Sequence, residues 1–281
     1  MRVIKSDLIK ETVKKLLIQS NHDIGSRMLK VLHEAKTQEV DKIPQSIMDE
    51  IIFNDVIARD EQIPMCQDTG MAVIFLEIGH RVQIIGSFIE KALNEAVSEA
   101  YTEAFLRKSV VGDPLFTRKN TTNNTPAIIH YQFVEGDQIF VHVAPKGFGS
   151  ENMSQIKMLK PADGVKGVKT FVVDCVKEAG PNPCPPIVIG IGIGGTFEKA
   201  ALLSKKALIR DLGLPAKDSN YRILEQELLK EINTLDIGPG GFGGKTTCLG
   251  VHIEHYPTHI AGLPVAVNIC CHAYRHASAV I

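Results

Sequence analysis

Three cysteines stand in loop contexts that suit a thiolate ligand: Cys66 in IPMCQDTG, Cys184 in PNPCPP, and Cys271 in CCHAYRH. Prolines flank the first two and stiffen the backbone, which holds a sulfur in place without a helix or strand beneath it. None of the three lies in a C-x2-C spacing, so a shared group requires them to converge from distant parts of the chain. Their number has chemical meaning. An electron-transfer cubane takes four cysteines, one per iron, whereas three leave one iron able to take a substrate oxygen as a Lewis acid. Such a site suits the removal of hydroxide without redox change, given a nearby acid, and Asp68, two residues from Cys66, is placed for that task.

Zinc is the rival reading. His252, His255 and His259, with Cys270, Cys271, His272 and His276, offer enough donors for a zinc site. The histidines fall on an apparent strand and the turn after it rather than at helical i, i+4 spacing, and thiolates bind either metal, so both readings stay open at this level. Cys175 on the inner face of a helix, Cys248, and one member of the 270/271 pair read as packing residues, because adjacent strand residues face opposite ways.

Two glycine-rich stretches resemble phosphate loops and fail. Gly190-Ile-Gly192-Ile-Gly194-Gly195 fits G-x-G-x-x-G, with Asp211 at the expected distance, but no strand follows the helix to deliver that acid. The glycines read instead as a close approach of backbone to something bulky. Gly243-Gly244-Lys245-Thr246-Thr247 ends like a P-loop, but Pro239 replaces its first glycine and a strand follows, leaving either a structural turn or an anion-contacting loop.

The elements that must carry these residues alternate without regular order. Leu8, Ile9, Val13, Leu16 and Leu17 form one helical stripe, and Ile47, Met48, Ile51, Ile52 and Val56 another. A helix begins at Ser87, with Glu90 completing a capping box, buries Ile89, Leu93, Ala96, Val97, Ala100, Tyr101 and Ala104, and ends near Arg107. Residues 128–143 read as a hairpin turning at Glu135-Gly136-Asp137. A helix over 163–179 stops at Gly180, and 187–191 is a buried strand. Helices over 197–212 and 221–235, then strands over 248–253 and 265–270, complete the pattern. The expectation is a mixed α/β fold, helices interleaved with a partly antiparallel sheet, in one domain over 1–281.

Lys and Arg number 31 against 32 Asp and Glu, which offers nucleic acid no basic excess. No run of about 20 apolar residues exists to span a membrane, and the charged N-terminus is unlike a signal peptide. A cytoplasmic location is expected, where cysteines stay reduced.

The motifs IPMCQDTG, NNTPA, APKGFGSENMS, NPCPP, GIGIGGT, GPGGFGGKTT and YPTHIAGLPVAVNICCHAYRH resemble the α subunits of two-subunit class I fumarases and L-tartrate dehydratases, over nearly all of the chain from Ile47. The resemblance implies the class I fumarase α-domain fold. It implies a 4Fe-4S cluster on Cys66, Cys184 and Cys271, with Cys271 chosen over Cys270 because Cys-x-x-x-Arg-His continues from it. It implies that Gln67 and Asp68 meet the substrate, that Arg107 clamps a carboxylate, that Gly147 or Gly149 offers an amide, and that His259 reaches an active site, that of a neighbouring subunit included. The expected activity is reversible hydration of fumarate to (S)-malate, favoured over tartrate dehydration by KGFGSENMS. The family's remaining catalytic groups lie in a second domain or β subunit, so a β chain is expected as partner, with an α homodimer inside a hetero-oligomer.

Overall fold

A computed structural model describes residues 1–281. In chain order the elements are β1 (Arg2–Lys5), α1 (Ser6–His22), α2 (Ser26–Gln38), α3 (Lys42–Glu61), β2 (Met71–Gly79), β3 (Val82–Ile85), α4 (Ile89–Glu103), β4 (Ile128–Val134), β5 (Ile139–Lys146), α5 (Phe148–Glu151), β6 (Gln155–Leu159), α6 (Gly164–Ala179), β7 (Ile187–Gly194), α7 (Phe197–Ala207), α8 (Ser219–Asn233), β8 (Cys248–Tyr256), β9 (Leu263–Cys270) and β10 (Ala277–Val280). This is the mixed α/β class expected from the sequence. No helix is long and apolar enough to cross a membrane. Contacts divide the chain into two compact units, each discontinuous in sequence: Met1–Ile24, Asp55–Phe148 and Arg275–Ile281 form the first, Gly25–Asn54 and Gly149–Tyr274 the second.

In the first unit a sheet runs β10-β5-β2-β4, with β1 and β3 paired separately. Its core gathers Ile9, Val13, Leu16 and Leu17 of α1 with Leu93, Ala96, Val97 and Ala100 of α4, against Ile74 and Leu76 of β2 and Val141 and Val143 of β5. Both helices present apolar residues at the 3.6-residue period and β5 does so at alternate positions, so each shows one face to the core, whereas the central β2 is apolar and buried at nearly every position. Leu8 departs from the expected stripe and is 52% exposed, because it lies one position round the helix from the buried face.

Three further expectations are corrected here. The segments over 128–134 and 139–146 are strands but not a hairpin: β2 lies between them, antiparallel to β5 and parallel to β4. The physical reason is β2 itself, almost wholly buried, which takes the central position that a two-stranded hairpin cannot offer. Ser87 does not cap α4; its hydroxyl and its N–H both meet the hydroxyl of Ser6, at 3.2 and 2.9 Å. The helix also ends at Glu103, which leaves Arg107 in the loop beyond it.

In the second unit the sheet order is β6-β9-β7-β8, and β7 is buried along its whole length. Helices α6 and α8 pack Val172, Cys175, Leu228 and Ile232 onto it. The close approach that the glycines of β7 imply is to α7: a Cβ on Gly190 would stand 2.2 Å from the carbonyl oxygen of Ser204, and one on Gly192 2.0 Å from that of Ala200. The strand parallel to β7 is β8, reached only after two helices. Asp211 lies in the loop after α7, 3.8 Å from Arg27, so it completes no nucleotide fingerprint.

Candidate active site

The loop from Cys66 to Gly70 enters β2 under tight backbone control. Cys66 is half-buried, and its sulfur accepts the N–H of Asp68 at 3.4 Å. One oxygen of Asp68 accepts the N–H of Gly70 at 3.0 Å, and the other accepts that of Phe148 at 2.8 Å. The carboxylate is therefore aimed by main-chain donors, which cannot rotate away.

Beneath the loop the phenol of Tyr101, fully buried, reaches the carbonyls of both Thr69 and Gly70 at 2.9 Å. Burial pushes its pKa up, Arg275 opposes that shift and Asp68 adds to it, so the hydroxyl stays a donor. Asn124 donates to the Gly70 carbonyl at 3.2 Å and accepts the N–H groups of Ser109 and Val110. Gly70 is confined further: its φ is +75°, and a Cβ would sit 2.6 Å from the carbonyl carbon of Lys146.

The expected substrate residues fall at this loop to different degrees. Gln67 is exposed, with its amide oxygen 3.6 Å from the Cys66 sulfur. The Arg107 carbonyl accepts the hydroxyl of Thr69 at 3.1 Å, which ties the backbone of this exposed arginine to the loop. A Cβ on Gly147 would meet both Asp68 Oδ2 and Arg275 Nη2 at 3.2 Å. Gly149 belongs to the second unit, where its nearest neighbour on that measure is the Asn182 carbonyl at 3.7 Å.

In the sequence Arg275 is one residue of a longer motif, and nothing in its spacing announces that it borders the same point as Asp68. It is buried, donates to Asn21 Oδ1 at 3.1 Å, and keeps its Nε without a hydrogen-bond acceptor.

In the second unit Cys184 is exposed, with a left-handed φ of +55°, and its N–H reaches the Pro181 carbonyl at 3.0 Å. Cys271 follows β9 and is half-buried. The N–H of His272 approaches the Cys184 carbonyl at 3.5 Å, so these two cysteine loops are neighbours. Cys175, Cys248 and Cys270 are all buried. Desolvation pushes the thiols of Cys175 and Cys248 up to about 12, which keeps their protons on.

The histidines are differently engaged. His252 is buried with Nδ1 3.2 Å from the Ala207 carbonyl, and His255, three positions along β8 and so on its other face, stacks on Tyr221 with ring centroids 4.1 Å apart. His259 is exposed in the turn after β8, beside a largely apolar cavity of about 400 Å³ lined also by Tyr221 and Ile260. Within neither unit do three His, Cys, Asp or Glu side chains gather as an ion site.

Comparison with known proteins gives this arrangement its context. Residues 10–280 match the family model described as Fumarate hydratase (Fumerase). This chain belongs to the fumarate hydratase family. It is 43% identical over 279 residues to a Methanocaldococcus jannaschii protein provisionally named L(+)-tartrate dehydratase subunit alpha, a match covering 97% of this chain and 95% of that one. It is 34% identical over 255 residues to the L(+)-tartrate dehydratase subunit alpha of Escherichia coli K12, covering 90% and 83%.

As a fumarate hydratase family member, the chain is a hydro-lyase type of protein, and its P-loop-like stretch needs another explanation than nucleotide binding. The amides of Lys245 and Thr246 are not open to an external anion, because both donate to the buried carboxylate of Glu39.

Proposed function

We propose that this fumarase-family chain is the α subunit of a two-subunit cytoplasmic hydro-lyase that hydrates fumarate to (S)-malate and reverses the reaction. The observation that supports it most directly is the carboxylate of Asp68, aimed by the N–H groups of Gly70 and Phe148 and bordering Gly147. A 4Fe-4S cluster on Cys66, Cys184 and Cys271 is part of this reading, and the donor chemistry suits it. These are the three cysteines that keep solvent contact, whereas the other three are buried. Once bound, such a cluster supplies one iron without a cysteine ligand as a Lewis acid for a substrate oxygen.

The chain's own residues then divide the remaining work. In dehydration Asp68 delivers a proton to the departing hydroxyl oxygen, and in hydration it takes one from water. Arg107, whose guanidinium is built for a bidentate grip, holds one substrate carboxylate, with Gln67 beside it. The N–H of Gly147 serves the other carboxylate, with Gly149 as the alternative donor. His259 acts at the site of a neighbouring α subunit. The base for the carbon-bound proton comes from a β subunit, and residues 1–281 work as one cluster-binding domain in an α homodimer within a hetero-oligomer.

A second reading keeps every role and changes the substrate to L-tartrate, and the names of the relatives favour it. One experiment tests both. The chain is reconstituted anaerobically with iron and sulfide, combined with a β chain, and assayed for fumarate by ultraviolet absorbance and for oxaloacetate released from L-tartrate. Faster turnover of fumarate supports the first reading, and faster turnover of tartrate replaces it with the second. One zinc without acid-labile sulfide overturns both in favour of a metal scaffold.

A further inference from the structure

The sequence leaves the Gly-rich stretch from Gly238 to Thr247 between a turn and an anion loop, and its hydrogen bonds give it a more specific task. Glu39 lies buried at the end of α2, at 3% exposure, and its two oxygens are divided between two backbone donors: Lys245 N–H at 2.8 Å and Thr246 N–H at 2.7 Å. Gly244, with a φ of +123°, leaves room for it, since a Cβ there would stand 2.7 Å from Glu39 Oε2. The two backbone donors that an anion would need are thus taken by a buried side-chain carboxylate.

The same stretch holds the cysteine loop from both sides. Gly240 donates its N–H to the Pro185 carbonyl at 2.8 Å, and the Thr247 carbonyl accepts the N–H of Ile187 at 2.9 Å. On the other side Gly241 lies against Pro181, so closely that a Cβ would fall 2.3 Å from the proline's. Between these supports sits Cys184, in a left-handed conformation that is strained for a non-glycine residue and persists only where its surroundings enforce it. The prolines at 181, 183, 185 and 186 leave that loop few N–H groups of its own, so support from outside is what remains.

We infer that Glu39 is a positioning residue for Cys184: its carboxylate fastens the Gly-rich stretch, and that stretch fixes the direction of the thiolate. The inference rests on the reading of Cys184 as a cluster ligand, but its physical core is tested without the cluster. Amide hydrogen exchange is measured on the full apo chain under anaerobic conditions, for wild type, Glu39→Gln and Asp236→Asn. The first substitution keeps the side chain's shape but removes its charge and turns one acceptor into an NH2 group, which faces a backbone donor. Asp236 accepts only the Gly244 N–H, at 2.9 Å, on the exposed side of the same stretch.

The expected result for Glu39→Gln is exchange faster by roughly tenfold or more at Lys245 and Thr246, and also at Cys184 and Ile187, because a charge-assisted hydrogen bond to each of the first two amides is weakened and the stretch they belong to loosens. Asp236→Asn is expected to speed exchange at Gly244 alone. After reconstitution, the Glu39→Gln chain should also release iron to a chelator faster than wild type. Unchanged exchange at Cys184 and Ile187, with Lys245 and Thr246 accelerated, overturns the inference and leaves the proposed function standing. If Glu39→Gln does not fold, Glu39→Asp, which keeps the charge and shortens the reach, carries the same comparison. A wild-type chain that binds no iron and sulfide overturns the proposed cofactor instead, and the exchange pattern still decides whether Glu39 governs the loop.

Discussion

Asp68 accepts the N–H of Phe148 at 2.8 Å, from the residue that follows β5 by one glycine, while its other oxygen takes the N–H of Gly70 at 3.0 Å. Two main-chain donors thus set the direction of a side chain proposed to move a proton. Asp68→Asn keeps the shape but presents an NH2 to one of those donors, so a stability loss of about 1–3 kcal/mol is expected. The loss of turnover should be far larger, about 10²- to 10⁴-fold in kcat. Thermal melting of the chain and kcat of the reconstituted enzyme separate the two effects. Wild-type kcat in the variant removes Asp68 from the mechanism.

Gly147 and Gly149 are separated by the same reasoning. A Cβ on Gly147 would press on Asp68 Oδ2 and Arg275 Nη2 at 3.2 Å, whereas on Gly149 it would meet one carbonyl at 3.7 Å, an ordinary contact. Gly147→Ala is expected to lower kcat at least tenfold through the shift it forces on Asp68, about 1.4 kcal/mol of barrier. Gly149→Ala should stay within about twofold of wild type, since alanine keeps the N–H and its methyl meets no close neighbour. Kinetics of the two variants side by side show whether Asp68 depends on the bare backbone at Gly147; equal rates would remove that dependence.

What is legible in the sequence follows from how far each signal reaches. Cys175 lies on a helical stripe, so local periodicity sorts it into the core, where it is found. For Cys270 and Cys271 strand alternation says only that one is inside, and β9, buried at every position after Leu263, makes that one Cys270. The pairing of β4 with β5 looks just as local, but the strand that separates them, β2, lies more than a loop and a helix upstream, and no turn residue reports it. Ser87 carries a capping signature and yet bonds Ser6, 81 positions away. Tyr101 reads as one more apolar position of α4; periodicity says that the ring is inside and nothing about the two carbonyls its hydroxyl meets. The division of the chain into two discontinuous units has no linker composition to mark it.

The six cysteines should separate by reactivity. Near pH 8, iodoacetamide is expected to label Cys66, Cys184 and Cys271 in the folded apo chain and to spare Cys175, Cys248 and Cys270 until denaturant is added, as peptide mass mapping would show. Burial raises the thiols of Cys175 and Cys248 from 9.0 to about 12. The folded chain therefore keeps protons that the unfolded chain sheds, so their contribution to stability is intact below pH 9 and is lost as pH rises through the window to about 12. Melting temperature should fall across that window, and Cys248→Ala should reduce the fall. Rapid labelling of Cys248 in the native chain would contradict this sorting.

Gly192 tests the reading of the glycine-rich strand. Alanine there would set a methyl 2.0 Å from the Ala200 carbonyl and 2.6 Å from the Ser204 nitrogen, and α7 must move to admit it. The expected cost is about 1–3 kcal/mol or more, seen as a lower melting temperature or loss of soluble protein. Saturating dinucleotide should leave the melting temperature of wild type unchanged. A dinucleotide-dependent rise would restore the cofactor reading of G-x-G-x-x-G.

Tyr101→Phe keeps the ring that fills the first core and removes only the hydroxyl. Gly70 retains a donor in Asn124 at 3.2 Å, whereas the buried Thr69 carbonyl loses the phenol bonded to it at 2.9 Å. A cost of about 1–3 kcal/mol follows from that buried carbonyl. Because those two carbonyls anchor the segment that carries Cys66 and Asp68, the damage should also reach the reaction: kcat falls, while a mutation of equal cost elsewhere in the core, such as Val97→Ala, leaves it unchanged. Equal kcat losses in the two variants, matched for stability, would mean that the phenol only fills space, and that the loop owes its shape to the backbone bonds of Asp68 alone.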